Sequence, residues 1–258
     1  MRYPEIDKNL FRLTGLTNQI VHSRDIVYLG YSTRLKEYLL AKSVELISMV
    51  ESFWYISSRF RVGESVLNVL ECKYGHWGDI SADLSQELCK LGAKAIIHNG
   101  KVGTFVSQSE VYSRVYIPNR FTIYHPQENK VFTVPIDNDL SSFIPFQSGI
   151  HISCSTPLDE TSQFLDIAKN RYTETVDIES SKIAEAIMNY SSEYDRDVKF
   201  GAIHYASDFV GPPDDTFTSY NLSNEHDRNP QAWKDAVLQD IFNVIIYSIE
   251  NPLPNADT

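Results

Sequence analysis

The sequence predicts an α/β protein built on an open sheet, and three stretches carry that expectation. The apolar run Asp25-Ile-Val-Tyr-Leu29 ends in Gly30 and hands over to a helical stripe. Residues 80–100 place a helix before a second buried strand, with Leu91-Gly92 as the stop between them. Thr175–Asp208 then reads as strand, helix, strand and acid. Strands alternating with helices are the pattern of helices laid over a largely parallel sheet.

Residues 1–24 lack periodicity and are expected to form an extension packed on the body or on a partner subunit, with 25–258 as a single domain. After the first strand, Leu35, Leu39, Leu40, Val44 and Ile47 predict a helix from Leu35 to about Val50. Phe53–Ile56 and Val66–Leu70 predict a hairpin turning at Val62-Gly63. A helix from Ile80 to Leu91 follows, with Asp79 or Ser81 as its cap, and then a strand running to Gly100. Glu110–Pro118 alternates as a strand, Phe121–Tyr124 and Lys130–Val134 form a hairpin, and Asn138–Pro145 is expected as a surface loop. Gly149–Ser155 is a further strand, with His151 expected merely to occupy one of its faces. Residues 211–230, rich in Pro, Asp, Ser and Asn, suggest a loop or lid, and Gln231–Ile249 carries a terminal helix.

The 258 residues are 42% hydrophobic and 22% charged, ordinary for a soluble globular chain. A net charge of -11 argues against a broad nucleic-acid footprint. It does not exclude an anionic small molecule, because a pocket can be locally positive. Cys72, Cys89 and Cys154 show neither metal-ligand spacing nor an even disulfide set, so no metal is expected and a cytoplasmic setting is the simplest. No apolar run approaches a membrane span, and no signal core opens the chain.

Two carboxylates stand out. Glu179 sits where a strand hands over to a helix, and Asp208 lies just past the next apolar strand. In an open α/β sheet both fall near the carboxyl edge, where ligands bind. So placed, one can accept hydrogen bonds while the other donates a proton. The plainer alternative makes Glu179 a helix cap and Asp208 the start of a turn before Gly211-Pro-Pro213. The turn Gly30-Tyr-Ser-Thr-Arg34 suits an anion held on backbone N–H groups, or is an ordinary strand-to-helix turn with a solvated Arg34. His76, in Tyr74-Gly-His-Trp-Gly78, is tempting as a base but is more often a structural or substrate-shaping group.

Val-Asp-Ile-Glu-Ser (176–180) resembles the Val-Glu-Met-Glu-Ala motif of the purine nucleoside phosphorylase/uridine phosphorylase superfamily, which also contains the methylthioadenosine-type nucleosidases. Ser207-Asp208 is similar to that family's Ser-Asp pair, and Gly30-x-x-x-Arg34 to its Gly-Asp-Pro-x-Arg phosphate loop, with Tyr31 and Ser32 in place of Asp and Pro. His98-Asn-Gly-Lys-Val-Gly103 resembles its Gly-Ser-x-Gly loop, with His98 where a phosphate-binding Arg is usual and Lys101 where a small hydroxyl residue is usual.

The resemblance covers roughly residues 25–249 and implies a nucleoside phosphorylase-like three-layer αβα sandwich with a central mixed twisted sheet. It further implies that Glu179 and Ile178 hold the ribose, that Asp208 and Ser207 meet the base with Asp208 as the acid at purine N7, and that Gly30, Arg34, His98 and Lys101 bind phosphate. The expected activity is N-glycosidic cleavage of a purine nucleoside, first by phosphorolysis and second by hydrolysis. A non-catalytic nucleoside-binding or storage protein is the third reading. The expected partners are the nucleoside, with inorganic phosphate as co-substrate and no cofactor, and further copies of the chain as a dimer or trimer of dimers.

Overall fold

The computed structural model describes residues 15–75, 78–143, 148–210 and 231–251. Its centre is β5 (Ala95–Thr104). Along one edge runs β11 (Lys199–Phe209), parallel, from Lys199↔Ala95 to Phe209↔Thr104 with a bulge between Ala206 and Asp208. The other edge is shared. β1 (Ile26–Leu29), buried at every residue, pairs parallel with the first half, Ile26↔Ala95 to Leu29↔His98. β10 (Thr173–Asp177) pairs antiparallel with the second half, Thr175↔Thr104 and Val176↔Gly103. The carboxyl ends of β1 and β10 therefore point at each other across residues 99–102 of β5. Between them the ladder is open, and this switch in strand direction is where an open sheet makes its crevice.

The sheet continues outward from β1 through β4 (Ser65–Cys72, parallel to β1), β3 (Tyr55–Val62) and the edge strand β2 (Leu46–Glu51). From β10 it continues through β9 (Ser148–Ser153), β7 (Pro118–His125) and β8 (Lys130–Val134), while the two-residue β6 (Val115–Tyr116) pairs with β11. Parallel and antiparallel pairs coexist, so the sheet is mixed as expected.

Helices cover both faces. Leu35 and Leu39 of α1 (Ser32–Ala41) join Val237, Ile241 and Ile245 of α5 (Gln231–Glu250) over one face. Leu84 and Leu88 of α2 (Asp79–Lys90) join Ile183 and Ile187 of α4 (Ser180–Tyr194) over the other. Phe164 and Ala168 of α3 (Ser162–Asn170) close a smaller core on Ile152 and Val176. Leu16, Ile20 and Val21 pack into the second of these faces, so this part of the N-terminal stretch packs on the body.

Four expectations need correction. The helix from Leu35 ends at Ala41, where Ser43 takes a left-handed φ of 58°, and Leu46–Glu51 is an edge strand. Glu110–Pro118 is a short 3-10 turn followed by β6, with Tyr112 at φ 56° breaking the alternation. α2 is preceded by Gly78 and has no side-chain cap from Asp79 or Ser81. Within the expected surface loop, Asn138 is buried and its amide donates to the Pro118 and Ala202 carbonyls at 2.8 Å each, locking β7 to β11. His76 and the lid expected over 211–230 lie outside the described residues.

Candidate active site

Where β1 and β10 meet head to head, a cavity of about 1270 Å³ opens. Its walls are the Gly30–Arg34 turn, Glu71 and Cys72 at the end of β4, Lys101–Gly103 of β5, Val176–Glu179, Pro157 with Glu160, and Ser207–Val210. Glu179, Ile178, Asp208, Ser207, Gly30, Arg34 and Lys101 thus share one cavity. His98 does not line it.

Gly30 is required by contact: a Cβ there would lie 2.2 Å from the Asn99 carbonyl oxygen, and its φ of 152° lies outside the usual L-residue regions. Gly103 meets the same limit, since a Cβ would come within 2.4 Å of Val210. These two glycines let β1 and β11 close on β5 at the cavity floor.

Glu179 precedes α4, but its side chain makes no capping bond. Its carboxyl faces the Gly78 and Ile178 N–H groups, each at 3.4 Å. Burial first, and the charge of Asp177 second, push it up to about 8, so it keeps its proton at neutral pH. The residue that caps α4 is Asp177. Its carboxylate accepts from Glu179 N at 3.0 Å and Ser180 N at 3.1 Å, and from the hydroxyls of Ser153 (2.6 Å) and Ser180.

Asp177 also anchors a buried histidine layer. His151 Nε2 donates to Asp177 at 2.9 Å, while its Nδ1 lies 2.9 Å from the Thr175 hydroxyl. His204 Nδ1 accepts the Gly100 N–H at 3.2 Å, which places its proton on Nε2, facing Ser180 Oγ at 3.1 Å. His98 Nδ1 lies 3.1 Å from the same oxygen. Burial holds His204 well below the usual histidine range, and it is neutral. Burial alone would raise Asp177, but the charge and hydrogen bond of His151, with lesser contributions from His204 and His98, hold it below the usual carboxylate range.

His98, Asp177 and His204 bring potential ligand atoms within 4.8 Å of one another. Ser180 Oγ lies within hydrogen-bond distance of all three, at their centre. This layer corrects two expectations: His98 faces it rather than a bound anion, and His151 is part of it rather than an idle strand position.

At the opposite end, Ser207 Oγ donates to Asp208 Oδ1 at 2.7 Å, and the bulge in β11 turns this pair toward the cavity. Asp208 belongs to β11 itself rather than lying past its end. Glu160, which the sequence reading overlooked, is raised to about 7 by burial and by the charge of Asp208. Arg34 reaches Glu37 at 3.4 Å and Asp235 of α5 at 3.5 Å, so its charge is already shared with two carboxylates. Among the described residues the cavity walls carry the carboxyl groups of Glu71, Glu160, Asp177, Glu179 and Asp208 and the cations Arg34 and Lys101.

Glu71, Asp177 and His204 also escaped the sequence reading. One signal existed for the buried layer: Thr175 and Asp177, His151 and Ser153, and His98 and Gly100 are polar or small residues at every second position of apolar strands.

No family model matches the chain. By sequence it is 24% identical over 204 residues to the protein named oxidoreductase cns1 of Cordyceps militaris, a match over 74% of this chain and 25% of that one. The chain therefore spans about a quarter of the curated relative's length. Among solved structures it superposes on Arabidopsis thaliana 5′-methylthioadenosine nucleosidase with a TM-score of 0.64 at 11% identity, over 92% of this chain and all of the other. Uridine phosphorylase from Vibrio fischeri gives 0.63 at 12% identity, over 91% and 94% of the two chains. Purine nucleoside phosphorylase from Toxoplasma gondii gives 0.61 at 15%, over 92% and 93%. The fold is that of the nucleoside phosphorylases and nucleosidases, the three-layer αβα sandwich expected from the sequence. No helix among the described residues is long and apolar enough to cross a membrane.

Proposed function

Proceeding from that fold, we propose that the protein cleaves the N-glycosidic bond of a purine nucleoside, with Glu179 at the ribose and Asp208 at the base. The observation that carries this reading is the placement of both carboxyl groups on one cavity at the point where β1 and β10 meet. Cleavage builds positive charge on the ribose and negative charge on the departing base, and catalysis must stabilise both. Glu179 takes the ribose 2′- and 3′-hydroxyls, with Ile178 packed against the sugar. Asp208, oriented by Ser207 and ionised in the free protein, takes up a proton from solvent as the nucleoside enters and passes it to purine N7 as the C1′–N9 electron pair moves to the base.

The pairing of Arg34 supports water over phosphate as the nucleophile, reversing the order that the sequence suggests. The Arg34 that should receive phosphate is paired with Glu37 and Asp235, and Glu71 and Asp208 also line the cavity. Phosphorolysis remains the second reading, favoured by the Gly30 turn opening a helix and by Lys101 on the wall.

The test is a panel of purine nucleosides, including a 5′-methylthio sugar, assayed with and without inorganic phosphate. The expected products are free base and free ribose at a phosphate-independent rate. Strict phosphate dependence with ribose 1-phosphate as product would establish the second reading. Binding without base release under either condition would leave a nucleoside-binding protein.

A further inference from the structure

We infer that Lys182 is a positioning residue for Glu179, its ammonium tied to Asp79 so as to hold the Gly78 turn against the Glu179 carboxyl, an inference that rests on the ribose role of Glu179 proposed above. Lys182 lies on the first turn of α4, three residues after Glu179, and its backbone N–H donates to the Glu179 carbonyl at 3.0 Å. The residue is only 8% exposed, a costly place for a lysine unless its charge is met. Asp79 meets it, with Oδ1 at 2.8 Å from the Lys182 Nζ.

The two partners are unequal. The Lys182 side chain is 9% exposed and that of Asp79 is 87% exposed, so water competes at the Asp79 end and the pair adds little stability. What it fixes is a position. Asp79 opens α2 directly after Gly78, whose left-handed φ of 55° turns the chain into the helix. The Gly78 N–H faces Glu179 Oε1 at 3.4 Å. Lys182 Nζ lies 3.9 Å from the point where a Cβ on Gly78 would stand, and the Ile178 carbonyl oxygen lies 3.8 Å from it. Gly78 is thus lodged between the Glu179 carboxyl and the ammonium, while Asp79 anchors the turn from the solvent side. Gly75, three residues earlier, is on the cavity wall, so the anchored turn belongs to the site.

A contact of 3.4 Å is long, and a small drift of the turn breaks it. Released from Lys182, Gly78 no longer aims the Glu179 carboxyl, which keeps the Ile178 N–H at 3.4 Å. Charge acts in the same direction. Around that carboxyl, Asp177 of β10 disfavours ionisation, whereas the N–H groups of Gly78 and Ile178 and the charge of Lys182 favour it. Loss of the ammonium removes its own charge and loosens the Gly78 N–H, and it leaves Asp79 of α2 without a counter-charge.

The test compares wild type with K182M, K182R, D79N and the K182M/D79N double variant. Carboxyl NMR reads the contact in the free protein: the Glu179 midpoint should rise above its wild-type value of about 8 in K182M and stay near it in K182R. On whichever purine nucleoside the wild type cleaves, K182M should lose about tenfold to a hundredfold in kcat/KM, as for a displaced hydrogen bond, and K182R far less. D79N should lose a similar factor with its melting temperature unchanged, because Asp79 is on the surface, and it reads the tether even if K182M fails to fold. The double variant should be no worse than K182M. An unmoved Glu179 midpoint in K182M overturns the assignment. So does an undiminished kcat/KM in D79N, because Lys182 then supports only the fold. A wild type that releases no base, with the K182M midpoint still moved, overturns nucleoside cleavage and leaves the hold of Lys182 on Glu179 standing.

Discussion

Replacing Glu179 by Gln removes one titrating proton from the cavity and should change how stability depends on pH. In the folded protein Glu179 holds its proton up to about 8, because burial and the neighbouring Asp177 charge both disfavour the ionised form. In the unfolded chain the same group ionises near its ordinary value of 4.5. Between those limits the folded state binds a proton that the unfolded state has released, so stability falls as pH rises through the window. Each pH unit weighs about 1.4 kcal/mol, giving a ceiling of roughly 5 kcal/mol from this group once pH exceeds its folded value. E179Q carries no such dependence. Urea unfolding of both proteins at intervals from pH 5 to pH 9 should show E179Q gaining on wild type as pH rises and levelling off above about 8. The comparison isolates Glu179 because Glu160 and the other carboxyl groups are present in both proteins. Parallel stability curves across the whole range would refute the claim that Glu179 is held protonated.

D208N should lower kcat about a hundredfold to ten-thousandfold on purine nucleosides, the usual weight of a positioned acid, while nucleoside binding persists. In the same variant Glu160 should titrate below its wild-type value of about 7, because the Asp208 charge that raises it is gone; carboxyl NMR reads the change. D177N should destabilise the fold by about 3–5 kcal/mol in denaturant, since it breaks a buried charged contact with His151 and weakens the bonds that cap α4. G30A should abolish base release and lower the melting temperature, because its Cβ would collide with the Asn99 carbonyl at 2.2 Å.

The elements with strong periodicity were legible in the sequence: α5 and β1 lie within a residue or two of where it puts them, and α4 starts at the handover after Glu179. The stripe through Leu35, Leu39, Val44 and Ile47 misleads because neither Gly nor Pro marks the break. A left-handed Ser43 ends the helix, and Ile47 and Val50 of an edge strand happen to continue its spacing. Asn138 reads as loop because its neighbours are polar, whereas its amide is a buried clamp between two strands. Glu179 and Asp208 were legible as candidates, since each sits at a strand end where an α/β sheet presents ligand-facing residues. The histidine layer was not. His151, Asp177 and His204 converge only once β9, β10, β5 and β11 are in register, and one chain's pattern does not state its cross-strand partners. Glu71 was hidden for the same reason: β4 had to be placed beside β1 before its last residues reached the Gly30 turn.

The most direct measurement is a crystal structure with a purine C-nucleoside, whose carbon–carbon glycosidic link cannot be cleaved. The account predicts the ribose 2′- and 3′-hydroxyls on Glu179 and the base N7 within about 2.6–3.2 Å of the Asp208 carboxyl. A nucleoside bound with its sugar away from Glu179, or with its base turned from Asp208, would contradict it.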